Sequence, residues 1–118
     1  MDSLVKLDRA AAGFPFEGEA ALLAPVQRAL KQVVDPEVSL SIVDMGLVYA
    51  VSASAQSVAV RMTMTSAACP VTEVILADVH NELELELPPG CQVSVEVCWE
   101  PPWSPDMISE HARRWLDG

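Results

Sequence analysis

The chain has 118 residues, 51% of them hydrophobic, with 17 acidic against 7 basic side chains and a formal net charge of −10. That length and apolar content suit one compact domain with a core of its own. The acidity argues against a nucleic-acid binder and against docking on an anionic membrane, both of which need clustered Lys and Arg. No stretch approaches the roughly 20 apolar residues of a membrane span. Met1 to Arg9 lacks the apolar centre of a signal peptide, so a cytoplasmic location is expected.

Residues 1–18 read as an N-terminal tail, and 19–118 as a single domain. The stretch Gly13-Phe14-Pro15-Phe16-Glu17-Gly18 is a turn-rich connector with two exposed or docking aromatics. A helix is expected over 19–34, where Leu22, Leu23, Val26, Leu30, Val33 and Val34 recur at three- and four-residue spacings. Pro25 is expected in its first turn, and Asp35-Pro36 stops it. A loop over 37–46 leads to a strand over 47–52, a small polar connection and a second strand over 58–65. In that strand Val58, Val60, Met62 and Met64 form one face, and Ala59, Arg61, Thr63 and Thr65 the other.

A second helix follows from Pro70, with Val71, Ile75, Val79 and Leu83 as its apolar stripe and Pro88-Pro89-Gly90 as its stop. The alternating run Glu82 to Leu87 is assigned to its end. The third strand, 92–99, turns Val93, Val95, Val97 and Trp99 inward as core. A stiff loop, Glu100 to Pro105, then enters a short helix ending near Trp115, with Ser104 as its cap. The expected fold is a two-layer α/β (α+β) domain with helices on one face of a small mixed three-stranded sheet. An open sheet face would suit a homodimer.

Chemistry concentrates at Met62-Thr63-Met64-Thr65-Ser66-Ala67-Ala68-Cys69-Pro70, where a strand runs through a small polar loop to a cysteine at the expected helix N-terminus. Backbone amides there favour a thiolate, which is a nucleophile or a soft-metal ligand. The other reading of Cys69 is a small buried residue filling a strand–helix corner. Thr63 and Thr65 would surround the thiol with hydroxyls. Asp44 could orient it or hold a metal-bound water, or else cap its own turn. Cys91, Cys98, His80 and His111 have no ligand-spaced partners, and three cysteines without a C-x-x-C pair do not make a disulfide framework or a four-thiolate site. Trp99-Glu100-Pro101-Pro102-Trp103 is a rigid aromatic platform, with Trp103 either a lid or a partner contact.

Three segments together resemble the SufT/PaaD-like family of iron–sulfur assembly factors, which includes the eukaryotic cytosolic iron–sulfur targeting component. They are Asp35-Pro36-Glu37 with Ile42-Val43-Asp44-Met45-Gly46-Leu47-Val48-Tyr49, then Met62 to Pro70, then Trp99 to Arg113. The resemblance spans about 20–117 and is closer to the SufT-like branch, because the cysteine-rich C-terminal extension of PaaD proteins does not follow. It implies an iron–sulfur-assembly-type α/β domain and a non-enzymatic maturation factor, a carrier or adaptor between scaffold and client proteins. By the same resemblance Cys69 is the family's motif cysteine, Asp44 its loop aspartate, Thr63 and Thr65 its strand threonines, and Pro101, Pro102 and Trp103 its Pro-Pro-Trp element. On that basis Cys69 is read as the metal or client ligand, Asp44, Thr63 and Thr65 as shaping its site, and Pro101, Pro102 and Trp103 as the partner surface. The cargo would be a transient iron–sulfur cluster or iron. One motif thiolate per chain cannot hold a four-cysteine cluster, so further ligands would come from a homodimer, a client cysteine or a small thiol. A pure interaction module with structural Cys69 and a thiol-dependent enzyme are the alternatives.

Overall fold

The computed structural model describes residues 4–36, 38–65 and 72–117, the last three without their side chains. Its elements are β1 (Leu4–Leu7), α1 (Arg9–Ala12), β2 (Phe16–Glu19), α2 (Ala20–Lys31), β3 (Val34–Asp35), β4 (Leu40–Ser41), β5 (Val48–Ala53), β6 (Ser57–Met62), α3 (Thr72–Glu86), β7 (Gln92–Val97), a 3₁₀ turn (Pro105–Met107) and α4 (Glu110–Asp117).

The main sheet has five strands, not three, in the order β1-β2-β5-β6-β7. The two additional strands come from the segment expected as a tail. Phe14 and Phe16 alternate into the core, where both are fully buried. Burying each contributes about 1.5–3 kcal/mol, which offsets the entropy of ordering a short strand. Between the two strands, Asp8 caps α1 by accepting from the Ala11 N–H at 3.0 Å. Gly13, at φ 92°, closes that helix with its N–H on the Arg9 carbonyl. Gln27 of α2 donates to the Ala12 carbonyl at 2.9 Å and fastens the segment to the domain.

Pairing is antiparallel for β1/β2 and β5/β6, and parallel for β2/β5 and β6/β7. Each parallel pair is bridged by a helix, α2 or α3, as a parallel crossover requires. Leu22, Val26 and Leu30 of α2, and Ile75, Val79 and Leu83 of α3, are buried against the inner residues Val51, Val58, Val60 and Met62. The outer face carries Glu17, Ser52, Ala59, Arg61, Ser94 and Glu96, all exposed. A small second sheet, β3/β4, lies beside the main one.

Several local expectations change. Pro25 lies inside α2 rather than in its first turn. The bond it cannot donate would have gone to Ala21, which is exposed and free to bond water. Helix α3 does run through the alternating Glu82–Glu86 stretch, because Leu83 continues the four-residue stripe and Pro88 stands just beyond. Trp99, expected in the core, is 44% exposed, since β7 ends at Val97. Ser104 precedes the 3₁₀ turn without a side-chain capping bond. Ser109 caps α4 instead, accepting from the Ala112 N–H at 3.1 Å.

Candidate functional site

The parallel pairing of β6 and β7 brings their carboxyl ends together beside the start of β5. The Thr63 N–H donates to the Leu47 carbonyl at 2.8 Å and the Cys98 N–H to the Met62 carbonyl at 2.7 Å. Ligand sites in sheets with parallel strands favour such carboxyl ends. Cys69 lies outside the described residues, in the stretch that links β6 to α3. Thr65, half-buried, is the last described residue before it.

A β-bulge shapes this corner. The β5/β6 register shifts between Val48 and Ala50, leaving Tyr49 as the extra residue. Val48 faces the core while Tyr49 and Ala50 are partly exposed, so the bulge re-aims the phenol. Tyr49 donates to the Pro101 carbonyl at 2.6 Å and lies 3.6 Å from the Met107 sulfur. Burial raises its phenol above the ordinary value of 10.0, a hydrogen bond with Thr63 and the Arg9 guanidinium pull it back, and Cys98 pushes it up. Thr63, Arg9 and Cys98 therefore all lie close enough to act on the Tyr49 phenol. Arg9, Tyr49, Arg61, Glu100, Pro101 and Met107 line an open depression of about 420 Å³.

Asp44 tethers this corner to the C-terminal segment. Its carboxylate accepts from the Ser41 hydroxyl at 3.3 Å and the Ser109 hydroxyl at 3.0 Å. Its own N–H donates to Ser41 Oγ at 3.0 Å, and its carbonyl accepts from the Ser109 N–H at 2.7 Å. Trp103 donates its indole N–H to the Met45 carbonyl at 2.7 Å and packs on the core. Gly46 has φ 75°, and a Cβ there would run into the Met107 carbonyl. The loop and 3₁₀ turn over 100–109 are thus clamped onto 44–49.

The sequence-predicted residues divide accordingly. Asp44 and Trp103 hold the clamp, while Pro101 and Pro102 are exposed on its outer side. Thr63 is fully buried at the strand end, although it shares its strand face with the exposed Ala59 and Arg61. Cys98 is half-buried beside it, its thiol donating to the Glu100 carbonyl at 2.9 Å. Cys91 stands at the other end of β7. Among the described residues, no three His, Cys, Asp or Glu side chains converge to hold a metal ion.

Tyr49, Arg9 and Ser109 were not singled out from the sequence. Tyr49 lay inside the first motif, but its role depends on a bulge that no local pattern announces. Arg9 lay in the supposed tail, and Ser109 is 65 residues from the carboxylate it binds.

A family model described as "Iron-sulfur cluster assembly protein" matches residues 23–97. Fe-S protein maturation auxiliary factor YitW of Bacillus subtilis is 38% identical over 96 residues, 80% of this chain and 93% of that protein. Fe-S protein maturation auxiliary factor SufT of Staphylococcus aureus is 40% identical over 82 residues, 69% of this chain and 92% of that protein. Among solved structures, a domain of unknown function (DUF59) from Bacillus anthracis has a TM-score of 0.74 at 36% identity, covering 82% of this chain and 92% of that one. A conserved hypothetical protein from Thermotoga maritima has a TM-score of 0.68 at 35% identity, covering 80% and 93%.

Proposed function

The chain belongs to the iron–sulfur cluster assembly protein family, and from that premise we propose that it is a non-enzymatic accessory factor in the maturation of iron–sulfur proteins, engaging cluster or client through Cys69. The relatives named above are maturation auxiliary factors. The observation that carries the reading is the gathering of Thr63, Tyr49 and Cys98 at the carboxyl ends of β6 and β7, the point from which the Cys69 segment departs. Such a corner is rigid, clamped from outside by the 100–109 loop, and rich in hydroxyls.

The cluster is cargo in this reading. One motif thiolate supplies one of the four ligands a conventional cluster takes, so the rest would come from a client, a small thiol or a second copy. Asp44 shapes the corner through its serine bonds, and Pro101 and Pro102 face the partner. Iron–sulfur scaffold and client proteins are the partners, in the cytoplasm.

The test pairs two measurements. Anaerobic reconstitution with iron and sulfide, alone and with an apo client, is expected to give visible-band absorbance that Cys69→Ser abolishes. A client-activation assay is expected to lose rate with the same variant. Absorbance without loss of activation refutes the role of Cys69 in transfer. Full activity of Cys69→Ser with no absorbance from wild type leaves a pure adaptor. That outcome is consistent with the engagement of both Asp44 carboxylate oxygens by serines.

A further inference from the structure

Strand β7 ends the main sheet, and among the described residues nothing pairs with its outer side. It is six residues of QVSVEV, without proline, bulge or inward-pointing charge. Native edges are usually blunted by one of those devices. The opposite edge, β1, is shorter and carries Lys6.

The bonding pattern tells which groups are free. The Gln92 N–H donates to the Gln56 carbonyl and the Cys98 N–H to the Met62 carbonyl. In a parallel ladder the residues bonded to one neighbour alternate. Ser94 and Glu96 therefore also turn their backbone groups to β6, and Val93, Val95 and Val97 turn theirs outward. The side chains of those three valines are only half-covered, unlike Val58 and Val60 on the adjoining strand. An added strand would gain both backbone partners and an apolar floor.

Charge selects the occupant. Residues 72–100 contain seven carboxylates (Glu73, Asp78, Glu82, Glu84, Glu86, Glu96 and Glu100) and no Lys or Arg. Arg28 of α2 pairs with Glu86, and Arg61 of β6 with Glu96. No Lys or Arg pairs with the other five among the described residues. Helix α3 packs between α2 and β7. Glu86 marks the flank of α3 turned to α2. Glu73, His80 and Glu84 share the opposite flank, which lies toward the free edge. His80 Nδ1 is 3.5 Å from Glu84, a weak and pH-dependent partner. A second copy of this chain would bring a second acidic strip and another net charge of −10 to the same place, so self-pairing is opposed.

We infer that the outer edge of β7 is a docking site for an extended segment of a basic partner protein, in which apolar residues alternate with Lys or Arg. The segment adds a sixth strand through the backbone groups of Val93, Val95 and Val97. Its apolar residues lie with those valines, and its cations meet the acidic strip. This goes beyond the proposed role of Cys69 and does not rest on it. Blocking the edge leaves cluster reconstitution on the protein unchanged, so the two proposals fail separately.

The probes are two eight-residue peptides of alternating valine with lysine and alternating valine with glutamate, plus a scrambled form of the first. The readout is amide hydrogen exchange and chemical shift on the full chain. The valine–lysine peptide is expected to slow exchange at Val93, Val95 and Val97 specifically, and to weaken as salt is raised. Glu73→Gln and Glu84→Gln are each expected to weaken binding about two- to fivefold. Val95→Pro removes an outward N–H without touching the β6 ladder, and is expected to abolish the protection. Binding that leaves those three amides unprotected overturns the proposal, as does equal binding of the scrambled or valine–glutamate peptide. Concentration-dependent protection of the same amides without any peptide assigns the edge to a second copy and likewise overturns it.

Discussion

Asp44 is the residue on which the clamp depends most, and its removal has a calculable cost. Asp44→Ala deletes the acceptor of two serine hydroxyls, Ser109 at 3.0 Å and Ser41 at 3.3 Å, and leaves the backbone bond from the Ser109 N–H intact. A hydrogen bond to a charged acceptor contributes about 1.5–3 kcal/mol, and the longer Ser41 bond about 0.5–1. Asp44 is half-buried, so the low end applies and the sum is about 2–3 kcal/mol, a large share of the ~5–15 kcal/mol that holds a domain of this size. The corresponding fall in Tm is roughly 10 °C. Ser109→Ala loses the same bond and also the α4 cap, worth about 1 kcal/mol. Urea denaturation of both single variants and the double variant separates the terms. The double variant is expected to be less destabilised than the sum by about 1–2 kcal/mol. Asp44→Ala within about 0.5 kcal/mol of wild type, or additivity within about 0.3 kcal/mol, would refute the clamp.

Three further outcomes test the same architecture. Gly46→Ala forces a side chain into a left-handed conformation and against the Met107 carbonyl. A loss of about 2–4 kcal/mol and a shift in Trp fluorescence are expected, and a stability unchanged in denaturant would contradict the close approach. Tyr49 is the only tyrosine, and its pKa is raised from 10.0 chiefly by burial. With the folded value above the unfolded one, the stability linked to Tyr49 is fully present below pH 10 and is lost as pH rises through the folded value. Phenolate absorbance should therefore appear at higher pH in the native protein than in denaturant, and coincident titrations would exclude partial desolvation of the phenol. Phe14→Ala is expected to cost about 3–5 kcal/mol by calorimetry or denaturation, because the ring is fully buried. A loosely attached N-terminal segment would give almost nothing.

The motifs that pointed to iron–sulfur assembly were legible because each is a local run, and local runs survive in the order of residues. The same holds for the core faces. Val58, Val60, Met62 and Met64 are buried as their alternation predicts, and Ile75, Val79 and Leu83 as their four-residue spacing predicts. Periodicity reports which side of an element is apolar, and burial follows. The stop at Pro88-Pro89-Gly90 was equally local, and it decided correctly between helix and strand for Glu82–Glu86.

Tertiary structure alone decided the rest. LVKL and FEGE are too short to declare themselves as strands, and they become strands because β5 offers a parallel edge and the core takes Phe14 and Phe16. Trp99 is exposed because its strand ends two residues earlier, and Pro25 is tolerated because Ala21, whose carbonyl it cannot bond, is exposed to solvent. Thr63 meets Tyr49 and Cys98 only through a parallel pairing and a bulge. Asp44 meets Ser109 across 65 residues. Such contacts depend on how the elements pack, and no pattern within a single element records them. The order of residues determined the family, the helices α2 and α3, and the apolar faces of β6 and α3. The packing of strands from distant parts of the chain decided the five-stranded sheet and the polar corner at its end.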